Sequence, residues 1–230
     1  MRVVIAGGHG RVARAATRLL AARGWQVTGL VRRPEQADDV RAAGATPVLL
    51  DLATASAERF ADRIAGADAV LYAAGAGLGD APGRANPVDR DAALALADAA
   101  QLVGVRRYVM LSSMGAGRDA RYPQNALVET YLRAKGEADD ELLSRPFLRC
   151  TVLRPAWFRD SPATGLVSLG ESTGAGEVGR ADAAAVLVAL LAAPATAGLT
   201  LELISGRTPV DEAVAAVARP GGSRVAVPRA

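Results

Sequence analysis

A tyrosine and a lysine lie four residues apart in the sequence, a spacing that could support proton transfer. Tyr131 and Lys135 fall in a segment predicted to be helical, where residues four apart share one face. A nearby ammonium favours phenolate and lowers the pKa of the tyrosine toward working pH. Tyr131 could then protonate a carbonyl oxygen or deprotonate an alcohol. We therefore predict that both residues are catalytic, the alternative being an ordinary exposed pair on a helix.

The composition singles out this lysine. Of the 27 lysine and arginine residues in the chain, Lys135 is the only lysine. A slender ammonium can approach a ribose and a tyrosine where a planar guanidinium would not fit. This favours a functional site over a surface pair.

Two serines follow the strand predicted at Arg107–Leu111. Open α/β folds bind ligands at the carboxyl edge of the sheet, so a hydroxyl there could hold a substrate carbonyl. We favour Ser113 over Ser112 for this role, although strand alternation does not decide which side chain faces the pocket. In the alternative, both hydroxyls only cap the following turn.

A glycine-rich turn follows the first predicted strand. Gly7 permits a tight turn, Gly10 lets the backbone approach a pyrophosphate, and Ala13 is small enough for close packing of helix and strand. The start of the next helix offers free N–H groups and the positive end of its dipole to phosphate. His9 and Arg11 could also contact phosphate, or be solvated. We predict that the turn binds a dinucleotide through Gly7, Gly8, His9, Gly10, Arg11 and Val12.

Two arginines end the second predicted strand, where an NAD enzyme would place a carboxylate to accept from the ribose hydroxyls. Arg32 and Arg33 instead offer planar forks of donors that suit a 2′-phosphate. The prediction is NADP(H) in preference to NAD(H). The alternative is that one or both arginines only solvate a loop.

Apolar strands alternate with helical patterns along the chain, as in repeated βαβ units. Strands without a polar face predict a parallel sheet covered on both sides, hence a doubly wound α/β fold. Segments 75–87 and 161–179 are predicted to be loops, and 220–230 a loosely attached tail. The predicted strands are Arg2–Ala6, Gln26–Val31, Thr46–Leu50, Ala69–Ala73, Arg107–Ser112 and Arg149–Arg154. The predicted helices include Arg11–Arg23 and Asp89–Val103. Helices are expected to end in the left-handed conformation at Gly24, Gly44, Gly66 and Gly104.

Length and composition restrict the class of protein. A chain of 230 residues predicts one domain, 1–230, in which 155–230 forms a small substrate-side extension. The net charge is only +3 and acids separate the arginines, so no nucleic-acid partner is expected. The apolar runs are too short or too interrupted for a membrane span, and the amino terminus reads as a strand, so we expect a cytoplasmic protein, monomeric or homodimeric.

The motifs GGHGRVA, VRRP, AAGA, LSSMGA, YLRAK and LRPAWF occur in this order. Together they resemble the short-chain dehydrogenase/reductase superfamily over nearly the whole chain. The SSMGA strand end, the YLRAKGEAD helix and the late LELISGRTPVDEAV segment resemble its atypical NAD(P)H-binding branch, which is similar to the NmrA-like proteins. Ala13 replaces the third glycine of the turn, and Ala156 follows Pro155 where the family often has glycine.

This resemblance implies a Rossmann-type sheet of six or seven strands and further site residues. Ser113, Tyr131 and Lys135 would form a reductase triad, with Lys135 on the nicotinamide ribose. Substrate contacts would come from 75–87 and 155–178. The further cofactor positions implied are Asp51 and Leu52 beside the adenine, Ala73, Ala74 and Gly75 along the ribose, Pro155 near the nicotinamide, and Leu111.

The leading functional prediction is an NADP(H)-dependent oxidoreductase that reduces a carbonyl, or a similarly polarised bond, of a small molecule. Tyr131 would be the general acid or base, and no metal is expected. A first alternative is an NADP(H)-binding redox sensor or regulatory protein without turnover. A second is an epimerase or isomerase that uses the nicotinamide transiently. Fold alone does not separate these.

Overall fold

Short apolar runs form the strands of a large, mostly parallel sheet. The computed structural model describes residues 1–75 and 86–218. The strands within them are β1 Arg2–Ala6, β2 Gln26–Val31, β3 Thr46–Leu49, β4 Ala69–Tyr72, β5 Arg107–Leu111, β6 Arg149–Pro155, β7 Trp157–Arg159, β8 Leu166–Gly170, β9 Glu177–Gly179, β10 Thr200–Ser205 and β11 Thr208–Pro209.

The order of the strands creates a crevice at the carboxyl edge of this sheet. In the described residues the order is β11-β8-β10-β6-β5-β4-β1-β2-β3, and all neighbours from β3 to β10 are parallel. The chain runs outward from β1 to β3 and then returns to β4 on the other side of β1. Ligands of open α/β sheets bind where the order reverses in this way. The predicted doubly wound α/β fold is confirmed.

Successive residues of a strand point to opposite sides of the sheet, so a strand that is apolar throughout makes both faces apolar. Helices cover both of these faces. Val3 and Ile5 pack in one apolar core, and Val4 and Ala6 pack in a second core across the sheet. The helices in the described ranges are α1 Arg11–Ala22, α2 Ala37–Ala42, α3 Ala57–Ile64, α4 Ala92–Leu102, α5 Ala126–Ser144, α6 Arg180–Leu191 and α7 Val210–Val217. α1 and α6 contribute to the first core, and α3 and α4 to the second.

The sheet is wider than expected. Six or seven strands are expected from the resemblance, and seven are parallel among the residues described; β8 and β11 add two antiparallel strands at one edge. The prediction that 161–179 is a loop is wrong in part, since it contains β8 and β9. Their pairings with β10 and β7 are long-range, and the many glycines of the segment conceal them.

The other predicted ends agree with the structure to within one residue, with one exception. A π-helical turn, Asn86–Asp91, precedes α4 in place of the predicted start of an α-helix at Asp89. The four predicted helix-ending glycines all have positive φ, between 71° and 98°. Residues 76–85 of the predicted loop and the predicted tail 220–230 lie outside the described residues.

Within the described ranges, no helix combines the length and apolar character needed to cross a membrane.

Candidate functional site

The turn between β1 and α1 is built from close backbone contacts that only glycine allows. Gly7 has φ +80°, and a Cβ on it would lie 2.7 Å from the Ala74 Cα. A Cβ on Gly8 would lie 2.7 Å from the Cα of Gly29 in β2. The turn is therefore pressed against the end of β4 on one side and against β2 on the other.

The N-terminus of α1 is open to an anion. Gly10 is its N-cap residue, no side chain caps the helix, and its first turn contains no acidic residue. The Gly10 amide donates to the Gly7 carbonyl at 2.9 Å, which shapes the turn without occupying the first helical N–H groups. Uncapped N–H groups and the helix dipole suit phosphate. This local geometry fits the pyrophosphate of a dinucleotide.

A cavity of about 210 Å³ lies beside this turn. Its lining combines the turn with the ends of β2, β3 and β4, as expected for the crevice where the strand order reverses. Nine predicted cofactor positions line it: Gly7, His9, Gly10, Arg32, Asp51, Leu52, Ala73, Ala74 and Gly75. Four further residues line the cavity that were not predicted from the sequence: Leu30, Val31, Gln36 and Val88.

The two arginines after β2 differ in position. Arg32 is half-buried and lines the cavity, whereas Arg33 is exposed and does not. The Gln36 side-chain oxygen accepts from the backbone N–H groups of both arginines, at 3.0 and 3.1 Å. Gln36 therefore holds the loop that presents Arg32.

His9 and Arg11 are tied to carboxylates outside the turn. His9 Nε2 lies 2.9 Å from Asp39 Oδ2, which also accepts from Arg14 at 2.7 Å. Arg11 donates to the carboxylate of Asp160, in the C-terminal part of the chain, at 2.6 Å. His9 lines the cavity whereas Arg11 does not, and each side chain is paired with a carboxylate of the protein.

The remaining predicted cofactor positions are placed by packing. Gly8 is buried against Gly29, and Val12 is buried in the first core. Leu111 and Pro155 are buried strand ends whose carbonyls accept from Lys135 and from the Met114 amide. None of these four lines the described cavity.

Lys135 is buried beneath the cavity rim. Its side chain is 2% exposed, and Nζ lies 3.1 Å from three acceptors: the Ala74 carbonyl, the Leu111 carbonyl and Asp89 Oδ1. An ammonium has three N–H donors. The two carbonyls accept hydrogen bonds from this ammonium and Asp89 forms an ion pair with it, so Lys135 joins the ends of β4 and β5 to the π-helical turn.

Tyr131 lies beside this lysine, with Nζ 5.9 Å from the centre of its ring. Burial raises the pKa of Tyr131 above that of an ordinary phenol. Lys135 and the Ser113 hydroxyl oppose the shift, whereas Asp89 and Asp139 add to it. Lys135 acts on the pKa of Tyr131 in the expected direction, but burial outweighs it, so the net shift is upward and not toward working pH.

Ser112 and Ser113 contact different groups. Ser112 is buried and donates to Asp139 Oδ2 at 2.7 Å, and this oxygen also accepts from Arg154 Nε at 2.9 Å. Ser113 is half-buried, its hydroxyl donates to the Met114 carbonyl at 3.3 Å, and it lowers the pKa of Tyr131. Of the two serine hydroxyls, that of Ser113 is therefore the one that acts on the phenol.

Asp139 belongs to the same helical series as the two predicted catalytic residues. It lies four residues after Lys135, as Lys135 lies four after Tyr131, so this spacing could have identified it. Burial raises the pKa of Asp139, while Arg154 and Ser112 favour its charged form. Asp89 and Gln36 carried no such signal, because their partners are set by packing between distant segments.

Close backbone packing fixes Tyr131 relative to Ser113. A Cβ on Gly136 would lie 2.3 Å from the Gly117 Cα, so Gly136→Ala should push α5 away from the turn after β5. We expect a loss of unfolding free energy of about 2 kcal/mol or more, measured by urea denaturation. Gly117→Ala is the matched control, since a Cβ there meets nothing within 4 Å. Equal stability of the two variants would contradict the tight packing.

The sequence is similar to that of known nucleotide-binding proteins. The sequence model of the NAD(P)H-binding family matches residues 7–194. The Bacillus subtilis protein YhfK, named as an uncharacterized sugar epimerase, is 31% identical over 215 residues, which cover 93% of this chain and 99% of YhfK.

Solved structures agree with the fold. A Bacillus halodurans protein, assigned by name to the NAD-dependent epimerases/dehydratases, is 32% identical and superimposes with a TM-score of 0.86 over 94% of this chain and 99% of its own. The oxidoreductase ylbE from Lactococcus lactis superimposes with a TM-score of 0.82, covering 94% of this chain and 96% of its own, at 23% identity. This last likeness bears on the fold alone.

Proposed function

Because this chain belongs to the NAD(P)H-binding family, we propose that it is an NADP(H)-dependent oxidoreductase that reduces a carbonyl, or a similarly polarised bond, of a small molecule. The observation that carries the proposal is the continuity between cavity and phenol. Ala74 lines the cavity, its carbonyl accepts from Lys135, and Lys135 lies against the ring of Tyr131. A cofactor site and a proton donor are thus separated by one buried side chain.

The cofactor would be held by the residues that line the cavity. Its pyrophosphate would lie on the uncapped N–H groups of α1 and its adenine side near Asp51 and Leu52. When bound, a reduced nicotinamide supplies the two electrons of the reduction as hydride to the substrate carbon.

Protein residues would supply the proton. The raised pKa of Tyr131 keeps its phenol protonated at neutral pH, so Tyr131 Oη donates a proton to the carbonyl oxygen as the C–O π bond is lost, and water returns the proton. Ser113, beside the phenol, would hold that oxygen by a hydrogen bond. Near neutral pH Tyr131 is therefore in the protonated form that the reduction requires.

The preference for NADP(H) should depend on Arg32. Arg32→Ser is expected to weaken NADPH binding by about tenfold or more, because a charge-assisted contact with the 2′-phosphate is lost, and to leave NADH binding nearly unchanged. Arg33→Ser is the matched control, since Arg33 does not line the cavity. Fluorescence titration of both cofactors measures the effect. Tighter binding of NADH than NADPH to the unaltered protein would refute the preference.

The names of the relatives favour a second candidate, a nicotinamide-dependent epimerase. YhfK and the Bacillus halodurans protein, both above 30% identity, carry epimerase names. An epimerase would use a site of the same kind to oxidise and then re-reduce one carbon. It would convert substrate with no net change in cofactor.

One assay separates the candidates. NADPH loss is followed by absorbance with a panel of aldehydes, ketones, quinones and flavins, while sugar substrates are followed for inversion with catalytic cofactor. Stoichiometric NADPH oxidation supports the reductase. Inversion without net cofactor change supports the epimerase. Tight cofactor binding without turnover on any of these would count against both and favour a sensor.

A further inference from the structure

Among the described residues, the buried carboxylate of Asp89 forms an ion pair with Lys135, and that of Asp139 acts on the same ammonium without a direct ion pair. Asp89 is 0% exposed, and its Oδ1 lies 3.1 Å from Lys135 Nζ. A buried ion pair depends on both partners, because removing one leaves an uncompensated charge in a medium of low polarity. Asp89 was predicted only as the first residue of a helix, and the proposed function so far gives it no role.

The turn that carries Asp89 is held in place from both sides. The Tyr72 hydroxyl of β4 donates to the carbonyl of Val88, and Arg90 Nε lies 2.9 Å from Glu137 Oε2 on α5. The two residues adjoining Asp89 are therefore each anchored to an element of the site. A side chain between two anchored neighbours is suited to position another group.

Asp89 also touches the rim of the cavity. A Cβ on Gly75, which lines the cavity, would lie 3.1 Å from Asp89 Oδ1. The carboxylate thus lies between the rim, the ammonium of Lys135 and the side of α5 that carries Tyr131. From this position it acts on the phenol through the lysine and directly through its own charge.

We propose that Asp89 is a positioning residue for the proposed reduction: it pairs with Lys135 in a fixed buried ion pair and so keeps the phenol of Tyr131 in its proton-donating form. This inference rests on the proposed function for its purpose, but its physical content is a property of the protein without cofactor.

The groups that act on Tyr131 come from three segments. Lys135 and Asp139 lie on α5, Asp89 on the π-helical turn, and Ser113 after β5. Burial is the largest cause of the raised pKa of Tyr131; Lys135 and Ser113 lower it, and Asp89 and Asp139 raise it. Removal of the Asp89 charge leaves Lys135 uncompensated, which must shift the balance toward phenolate.

The test is a phenolate titration of the protein without cofactor, followed by near-ultraviolet absorbance. In Asp89→Asn the titration midpoint of Tyr131 should fall by about one pH unit or more. Subtracting the titration of the same protein with Tyr131→Phe assigns the signal. Asp140→Asn, which removes an exposed carboxylate of α5 paired with Arg118, is the matched control and should leave the midpoint unchanged.

A second pair of variants covers the case in which Asp89→Asn does not fold. Lys135→Met retains Asp89, whereas Lys135→Met with Asp89→Asn removes both charges. The double variant should titrate at lower pH than Lys135→Met, because only the latter keeps the carboxylate near the phenol. Equal midpoints in this pair, or an unchanged midpoint in folded Asp89→Asn, would overturn the proposal. Absence of reductase turnover would not, since the titration involves neither cofactor nor substrate.

Discussion

Replacement of Gly10 with aspartate is expected to abolish binding of NAD(P)H while leaving the protein folded. Gly10 is the N-cap residue of α1 and its φ of −57° is accessible to any residue. An aspartate there would accept from the first helical N–H groups and stabilise the helix by up to about 1 kcal/mol. The same carboxylate would occupy the phosphate position and repel the pyrophosphate, at a cost of about 4 kcal/mol for charges 4 Å apart at intermediate polarity.

The opposite signs of these two effects make the experiment decisive. Affinity is measured by NADPH fluorescence titration, and stability by thermal unfolding of the same sample. We expect affinity to fall by about 100-fold or more and the melting temperature to stay the same or rise. Gly10→Ser is the matched control, because it adds a neutral capping side chain and should lose much less affinity. If the aspartate variant binds as tightly as the serine variant, the pyrophosphate does not lie at the start of α1.

Tyr131→Phe should lower the turnover of the proposed reductase by about 100- to 10,000-fold, the usual contribution of a positioned general acid. The substitution removes one oxygen from a half-buried side chain and retains the ring that packs near Lys135. Cofactor affinity should therefore stay within about twofold of the unaltered protein. Steady-state NADPH oxidation and equilibrium titration measure the two quantities separately.

Tyr122→Phe is the matched control for this loss, since it removes the same hydroxyl from a half-buried tyrosine whose ring, unlike that of Tyr131, is not among those that Lys135 contacts in the described residues. The unaltered protein should also reduce its substrate at a rate that is steady through neutral pH. The rate should fall only as the pH rises through the raised pKa of Tyr131, where the phenol loses its proton. Retention of turnover in Tyr131→Phe would remove this tyrosine from the mechanism.

The raised pKa bears on the direction of the reaction as well as its pH dependence. A phenol with a depressed pKa could serve as a base toward an alcohol at neutral pH, but a buried phenol beside Asp89 favours the proton-donor role. If an oxidation is nevertheless observed, it should become faster at alkaline pH. The buried ion pair of Lys135 and Asp89 would then influence the pH at which the oxidation rate rises, through the pKa of Tyr131.

The sequence by itself determined the first six strands, their alternation with helices, and the glycine-rich turn after β1. These features depend on residues near one another in the chain: apolar runs, glycines with positive φ at helix ends, and the Gly7, Gly10 and Ala13 spacing. Local sterics and backbone hydrogen bonding are sufficient to specify them. The proximity of Tyr131 and Lys135 followed in the same way from one helical turn.

Only the tertiary structure decided what those residues contact. The oxygens around Lys135 come from the ends of β4 and β5 and from the π-helical turn. Asp139 accepts hydrogen bonds both from Ser112 and from Arg154 on β6. The sign of the pKa shift of Tyr131 depends on burial, which no local spacing reveals. Strands β8 and β9 likewise form only against β10 and β7. Burial and ion pairing arise when distant segments pack together, so local residue types alone did not reveal them.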